Sequence, residues 1–185
     1  MDKDAASKFD PGAVTSFPNR QTVSKFTIGA RTLETDEQAR PAFGKLNPYK
    51  FGVLPVLVVM QNDGGETLSL EGMRVEYVTP KREHLEATPA QEVKFERGVR
   101  RPSTTPSPLP RLPGRTAKKN PLTAWEIEGR AFSARMLPAG QSASGFFYFT
   151  TGHYRGAILY VTGIREAATG KELFFVEIPL DKAGD

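Results

Sequence analysis

Cysteine is absent from this chain of 185 residues. A disulfide framework, a zinc site built from thiolates and a cysteine nucleophile are therefore excluded. Histidine is scarce too, since only His84 and His153 occur. A chain of this length forms one domain, with or without tails, and it can bury a core without cross-links or metals.

Long hydrophobic runs are also missing. The longest apolar stretch, residues 53–60, is interrupted by Pro55 and has the length of a buried strand rather than of a membrane span. Residues 1–18 are polar and lack the apolar centre of a signal peptide, so the chain as given carries none. We expect an exported protein, periplasmic or associated with the cell envelope, whose signal peptide has been removed. A cytoplasmic location is the alternative.

No acidic residue occurs between residues 97 and 125. The lysines and arginines of this stretch carry more positive charge than the net charge of the whole chain. A nucleic-acid-binding face, which spreads its cations over a folded surface, is therefore not expected. Prolines, which cannot donate a hydrogen bond to a sheet, also concentrate here. They are Pro102, Pro106, Pro108, Pro110, Pro113 and Pro121. The sequence predicts a basic insertion loop over residues 98–121, within a single domain of residues 21–181.

Several roles for this loop remain open. Its cations are candidate contacts to an anionic envelope surface or to a partner protein. They are Arg100, Arg101, Arg111, Arg115, Lys118 and Lys119. Residues 106–113 also have the Pro-x-x-Pro spacing, beside Arg111, with which polyproline helices dock into aromatic grooves. A plain spacer is the alternative.

Apolar residues elsewhere recur in short runs typical of strands. We expect strands at residues 22–30, 51–61, 68–78, 142–150, 157–164 and 172–180, with one or two more within 125–136. Turns are expected at residues 62–65, 137–140 and 168–171, and one short helix follows a cap at Thr35 or Asp36. Residues 1–20 are expected to form a flexible arm and residues 182–185 a tail. About seven strands at this spacing indicate an all-β, antiparallel β-sandwich.

Residue patterns for catalysis are weak. His84 and His153 could join Glu83, Glu86 or Asp63 in a metal site, but neither belongs to a close ligand pair, and we expect both in surface loops. No Gly-x-Ser-x-Gly motif occurs. Glu126 and Glu128 would share one strand face, as on any solvated edge strand. We therefore expect no catalytic residue, metal or cofactor.

Four consecutive aromatic residues, 146–149, invite comparison with a carbohydrate platform. Because neighbouring residues of a strand point to opposite faces, this row cannot form one flat surface, and core packing is favoured. His153, Tyr154 and Arg155, in the loop that follows, are the better candidates for a small exposed binding patch.

Two stretches carry a resemblance. The order Thr35-Asp36-Glu37-Gln38-Ala39, Phe43-Gly44, Gly52-Val53-Leu54-Pro55-Val56 and Asn62 resembles a poorly characterised group of bacterial envelope proteins, many of them lipoproteins. Residues 136–149, with Leu137-Pro138-Ala139-Gly140 before the aromatic strand, are similar to immunoglobulin-like domains of exported bacterial proteins. The resemblance covers residues 22–180 and implies an immunoglobulin-like sandwich and export, without an activity.

These observations together predict a non-catalytic, exported structural or protein-interaction module of the bacterial envelope. A module that binds a carbohydrate or a peptide is the alternative. An anionic envelope surface or another protein is the expected partner, and nucleic acid is not.

Overall fold

The branched apolar run at residues 53–60 forms the centre of a mostly β structure. This computed structural model describes residues 8–96, 119–173 and 175–181. Its described part contains two α-helices, α1 (Asp36–Phe43) and α2 (Trp125–Gly129), and eleven strands in three antiparallel sheets. The strands are β1 (Arg20–Val23), β2 (Phe26–Thr32), β3 (Leu54–Asn62), β4 (Leu68–Ser69), β5 (Arg74–Val78), β6 (His84–Glu86), β7 (Met136–Leu137), β8 (Ser142–Phe149), β9 (Ile158–Thr162), β10 (Arg165–Glu166) and β11 (Val176–Pro179). The all-β class predicted from the sequence is confirmed.

Two four-stranded sheets enclose the main core. The first sheet has the order β1-β2-β3-β8 and the second β11-β9-β5-β6, while β10, β4 and β7 form a small third sheet. Alternate residues of β3, such as Val56 and Val58, face residues of the second sheet, such as Tyr77 and Ile178, across this core. Non-directional burial of this apolar area is the main source of stability.

The opposite face of the first sheet is covered as well. Leu57 and Val59 of β3 and Phe146 and Tyr148 of β8 pack against α1, α2 and the segment before β1 in a second apolar cluster. Burial on both faces explains why β3 is continuously apolar instead of alternating. The aromatic row 146–149 is thus divided between the two clusters, and the expected core packing is confirmed.

The segment before β1 is not a loose arm where the structure describes it. Val14 lies in a 3-10 helix (Val14–Ser16), and both Val14 and Phe17 are buried. Phe17 packs where Gly29 leaves room, because a Cβ at Gly29 would lie 2.8 Å from Phe17 Cβ. Two apolar residues among polar ones are therefore enough to anchor this segment, which the sequence prediction for residues 1–20 missed.

Some predicted strands are divided or differently paired. The run 22–30 contains a hairpin turn at Ser24 and Lys25, which both have positive φ, so β1 pairs with β2. The run 68–78 is split into β4 and β5, which belong to different sheets. After the turn at residues 62–65 the chain therefore passes through β4 of the small sheet to β5 of the second sheet, and the runs 51–61 and 68–78 do not pair with each other.

The run 125–136 was predicted as strand, and this is wrong for its first half. Trp125–Gly129 is a helix with Ile127 buried, and only Met136–Leu137 forms a strand. In this stretch two glutamates alternate with Trp125, Ile127 and Gly129, which is the pattern of a strand. A helix of five residues is too short to show the 3.6-residue periodicity that would identify it. Glu126 and Glu128 consequently lie on a helix and not on an edge strand.

Helix α1 begins as the sequence predicts. Thr35 is its N-cap, and Gln38 at the third helical position completes a capping box with the Thr35 backbone. Pro41 lies inside this helix, although its position suggested a helix boundary; the helix ends two residues later, at Phe43, so little of the backbone ladder depends on it.

The last strand closes the core as expected. Val176, Ile178 and Leu180 are buried on one face, and Ile178 pairs with Leu159 of β9. Phe174, expected on the same face, lies outside the described residues. The predicted turn at 168–171 is confirmed, with Gly170 at positive φ and its N–H bonded to the Glu166 carbonyl.

Candidate functional site

The predicted cationic contacts fall mostly outside the residues that the structure describes. Arg100, Arg101, Arg111, Arg115 and Lys118 lie outside the described residues, whereas Lys119 is described and exposed.

The predicted end of the insertion loop needs a correction. Asn120 caps a 3-10 helix (Pro121–Thr123) through its side-chain oxygen, and its Nδ2 donates to the Lys94 carbonyl at 2.6 Å. Leu122 is buried as well, so the chain is anchored to the fold from Asn120 onward, one residue before the loop was expected to end.

His153 is not a surface histidine. Its ring has only 12% side-chain exposure and lies between Tyr77 and Asp181, with Nδ1 3.2 Å from Tyr77 Oη and Nε2 3.3 Å from Asp181 Oδ1. Tyr77 Oη also accepts the Tyr154 N–H at 2.7 Å. The Tyr77 hydroxyl thus joins the Tyr154 backbone to one ring nitrogen of His153, and the other ring nitrogen faces Asp181.

This chain of hydrogen bonds fixes the loop between β8 and β9. Tyr49 Oη accepts the His153 N–H at 3.1 Å, and Asp181 Oδ2 accepts the Gly156 N–H at 2.8 Å. Tyr154 and Arg155, which the loop carries between these anchors, are exposed. The sequence thus predicted the exposure of Tyr154 and Arg155 correctly. His153, expected beside them at the surface, instead supports the loop through its contacts with Tyr77 and Asp181. A binding role for Tyr154 and Arg155 stays a prediction.

Burial raises the pKa of Tyr77 to about 12. Burial also raises the pKa of Tyr148, whose hydroxyl donates to the Ile127 carbonyl at 2.7 Å. Both phenols thus keep their protons in the folded state at a pH where an unfolded chain releases them. Linkage then requires stability to fall as the pH rises from about 10 to about 12.

Replacing Tyr77 by phenylalanine should lower the free energy of unfolding by about 1–3 kcal/mol, because the Tyr154 N–H and His153 Nδ1 both lose a buried partner. Urea unfolding measures this loss. Tyr160→Phe is the matched control and should stay within about 0.5 kcal/mol, since the Tyr160 hydroxyl bonds to no described residue. Equal stabilities of the two variants would contradict the proposed support of the loop.

The outward side of the second sheet carries a different group of side chains. Strand alternation turns Leu159, Val161, Val176 and Ile178 inward and exposes their neighbours. We call the resulting surface the outer face. It consists of Arg74, Glu76, His84, Glu86, Tyr160, Phe175 and Glu177.

Three rings cross this outer face in a row. The Tyr160 ring lies 5.9 Å from His84, edge to face, and 5.6 Å from Phe175, at a tilt of 41°. Phe175 is 56% exposed, although a large aromatic side chain gains most by burial. Of the other two rings, His84 is exposed and Tyr160 is half-buried.

Carboxylates border the row. Glu86, Glu76, Tyr160 and Glu177 are cross-strand neighbours in one line over the four strands. Arg74 forms ion pairs with both Glu76 and Glu86, which relieves the repulsion between these two directly opposed glutamates. Glu177 has no ion pair among the described residues. The outer face therefore has three carboxylates and a single guanidinium.

The outer face was missed at the sequence level, although part of its signal was visible. The alternation of β9 already put Tyr160 on the side opposite to Leu159 and Val161. Phe175 alternates with Val176 in the same way, but its place beside Tyr160 depends on the pairing of β9 with β11. His84 was expected in a loop and lies instead on β6, within 3.3 Å of Glu76.

Among the described residues, no group of three or more histidine, aspartate or glutamate side chains is arranged so that it could hold a metal ion. In the same residues, no helix is long and apolar enough to span a membrane.

Comparisons with known proteins give only distant similarity. No protein-family model matches the chain, and neither does any curated protein sequence. Among solved structures, the yjhA protein from Bacillus subtilis is 8% identical with a TM-score of 0.41, over 89% of this chain and 98% of that one. A conserved hypothetical protein from Bacillus anthracis is 11% identical with a TM-score of 0.35, over 83% and 90% of the two chains.

Proposed function

We propose that this protein is a non-catalytic interaction module that binds its partner through the outer face. The observation that carries the proposal is the Tyr160–Phe175 ring pair on a rigid sheet, in which Phe175 is 56% exposed and Tyr160 is half-buried. Interfaces are enriched in aromatic side chains because these provide large contact areas at a small cost in conformational entropy. Antiparallel hydrogen bonds to β5 and β11 hold β9 in place, so the rings are presented without rearrangement.

A non-catalytic role is consistent with the titratable groups. The strongest pKa shifts belong to Tyr77 and Tyr148, which are buried and bonded to the backbone. Shifted groups of a catalytic site lie in a cleft where a substrate can reach them.

The finer description of the fold, an immunoglobulin-like sandwich, belongs to the proposal too. Taking β2 as strand A, the order β2-β3-β8 corresponds to A-B-E of that fold, and β11-β9-β5-β6 corresponds to G-F-C-C′. An experimental structure with a different strand order would refute this assignment.

Export to the bacterial envelope rests on the sequence resemblance and remains a proposal. Fractionation of cells that express the natural gene, followed by immunoblotting, tests it. Recovery in the cytoplasmic fraction alone would refute export.

A combined screen of peptide and glycan arrays tests the proposed function. Wild-type protein should enrich ligands whose binding is lost in both Tyr160→Ser and Phe175→Ser. Phe95→Ser is the matched control, because Phe95 is 65% exposed but lies in the 3-10 helix Val93–Phe95, outside the outer face. Ligands that bind both outer-face variants as well as wild type, or no ligand at all, would refute the proposal. If only glycans bind in this screen, the carbohydrate alternative is favoured, since sugars also stack on aromatic rings.

A further inference from the structure

The outer face has the chemistry of surfaces that recognise proline-rich peptides. Such peptides adopt the polyproline II helix, which rises about 3.1 Å per residue and repeats every three residues. Grooves lined by aromatic side chains bind them, because the helix is already extended and loses little entropy. The three rings lie 5.9 and 5.6 Å apart, so a polyproline II stretch of about four residues, at about 3.1 Å per residue, is long enough to contact all of them.

Charge narrows the choice of peptide. With three carboxylates and one guanidinium, the outer face favours a cationic segment over an acidic one. Glu177 lies beside Tyr160 across β9 and β11 and has no described cation near it. An arginine next to a proline pair would thus find an unpaired carboxylate beside the rings that hold the prolines.

The chain itself contains a segment of this composition. Residues 97–119 have seven lysines and arginines, five prolines and no acidic residue, and Arg111 follows directly after Pro110. The aromatic and acidic partner surface that such a sequence requires is present on the same protein. We infer that the outer face of one copy binds the proline-rich basic segment, residues 97–119, of a second copy. This inference rests on the proposed function of the outer face.

The positions of the segment's ends favour a second copy over the same one. Val93 and Leu122 belong to the apolar cluster on the far side of the first sheet, and Asn120 holds the two flanking stretches together. The outer face is on the opposite side of the molecule, beyond both sheets. A second copy can present its segment there directly, and a reciprocal exchange would close as a symmetric dimer.

Sedimentation velocity of the full chain, over a wide concentration range, tests the inference. Wild type should form a dimer that dissociates on dilution, at high salt and on addition of excess free peptide 97–119. Phe175→Ser should weaken dimerisation about tenfold or more, as expected for an aromatic interface anchor. Phe95→Ser removes an exposed ring that lies outside the outer face, and this variant should dimerise like wild type. A wild type that is monomeric at every concentration, or a dimer unaffected by Phe175→Ser, would overturn the inference.

Fluorescence anisotropy with labelled peptide 97–119 provides the second readout and does not depend on the dimer. Binding should be lost when Pro106, Pro108, Pro110 and Pro113 are replaced by alanine, and also when Arg111 and Arg115 are replaced by glutamine. If the alanine peptide binds as tightly as the natural peptide, charge attraction alone explains the binding. That result would contradict polyproline recognition. If the peptide fails while arrays return other ligands that need Tyr160 and Phe175, the inference falls and the proposed function stands.

Discussion

Phe17→Ala should lower the free energy of unfolding by about 3–5 kcal/mol. The side chain is only 1% exposed and belongs to the apolar cluster between the first sheet and the helices. The Arg31 guanidinium also lies 4.9 Å from the ring centroid. Truncation leaves a cavity over Gly29 that the surrounding strands cannot close. Urea unfolding monitored by circular dichroism measures the change.

Phe95→Ala is the control for this experiment, because Phe95 is 65% exposed and should change stability by no more than about 0.5 kcal/mol. A double-mutant cycle sharpens the test. Gly29→Ala should be destabilising in the wild type, where its Cβ would meet the Phe17 ring, and close to neutral in Phe17→Ala. If Phe17→Ala costs no more than the control, the segment before β1 is a loose arm after all.

Ile178→Ala should lower the free energy of unfolding by about 2–5 kcal/mol. Ile178 is fully buried on β11 and opposes Leu159, so its removal leaves a cavity in the core between the two large sheets. The same urea titration applies. Its neighbour Glu177 is exposed on the other side of the strand, so Glu177→Ala should change stability by no more than about 0.5 kcal/mol. A loss below that value for Ile178→Ala would mean that β11 does not close the core.

Strands with a dense or regular apolar pattern could be predicted from the sequence. The runs that became β3, β8, β9 and β11 have enough branched or aromatic residues to identify them within a few positions, and Asn62 with the following glycines marks the turn after β3. The start of α1 could be predicted to within one residue, because Thr35 and Asp36 both have side chains suited to a cap, and Thr35 is the residue that forms it.

Elements that depend on tertiary contacts could not be predicted. Phe17 looks isolated in a polar segment, and only the space above Gly29 makes it part of the core. Helix α2 has one buried residue, Ile127, so its period cannot be read. Strand pairing across the sheets depends on distant segments, which is why β4 and β5 looked like one strand.

The candidate site shows the same difference between features that follow from a local sequence pattern and features that depend on tertiary contacts. Exposure of Tyr154 and Arg155 followed from their place in a loop, but the support of that loop by Tyr77 and Asp181 joins three parts of the chain. The outer face required the sheet order as well, because His84, Tyr160 and Phe175 come from three separate elements.

A titration of isotopically labelled full chain with peptide 97–119, followed residue by residue by NMR, tests the central claim most directly. The account predicts that the largest shift changes cluster at Glu76, Tyr160, Phe175 and Glu177, and that they shrink at high salt. Changes centred on Phe95 and Trp125, or on Tyr154 and Arg155, would contradict the claim that the outer face is the binding surface, and so would a spectrum that the peptide leaves unchanged.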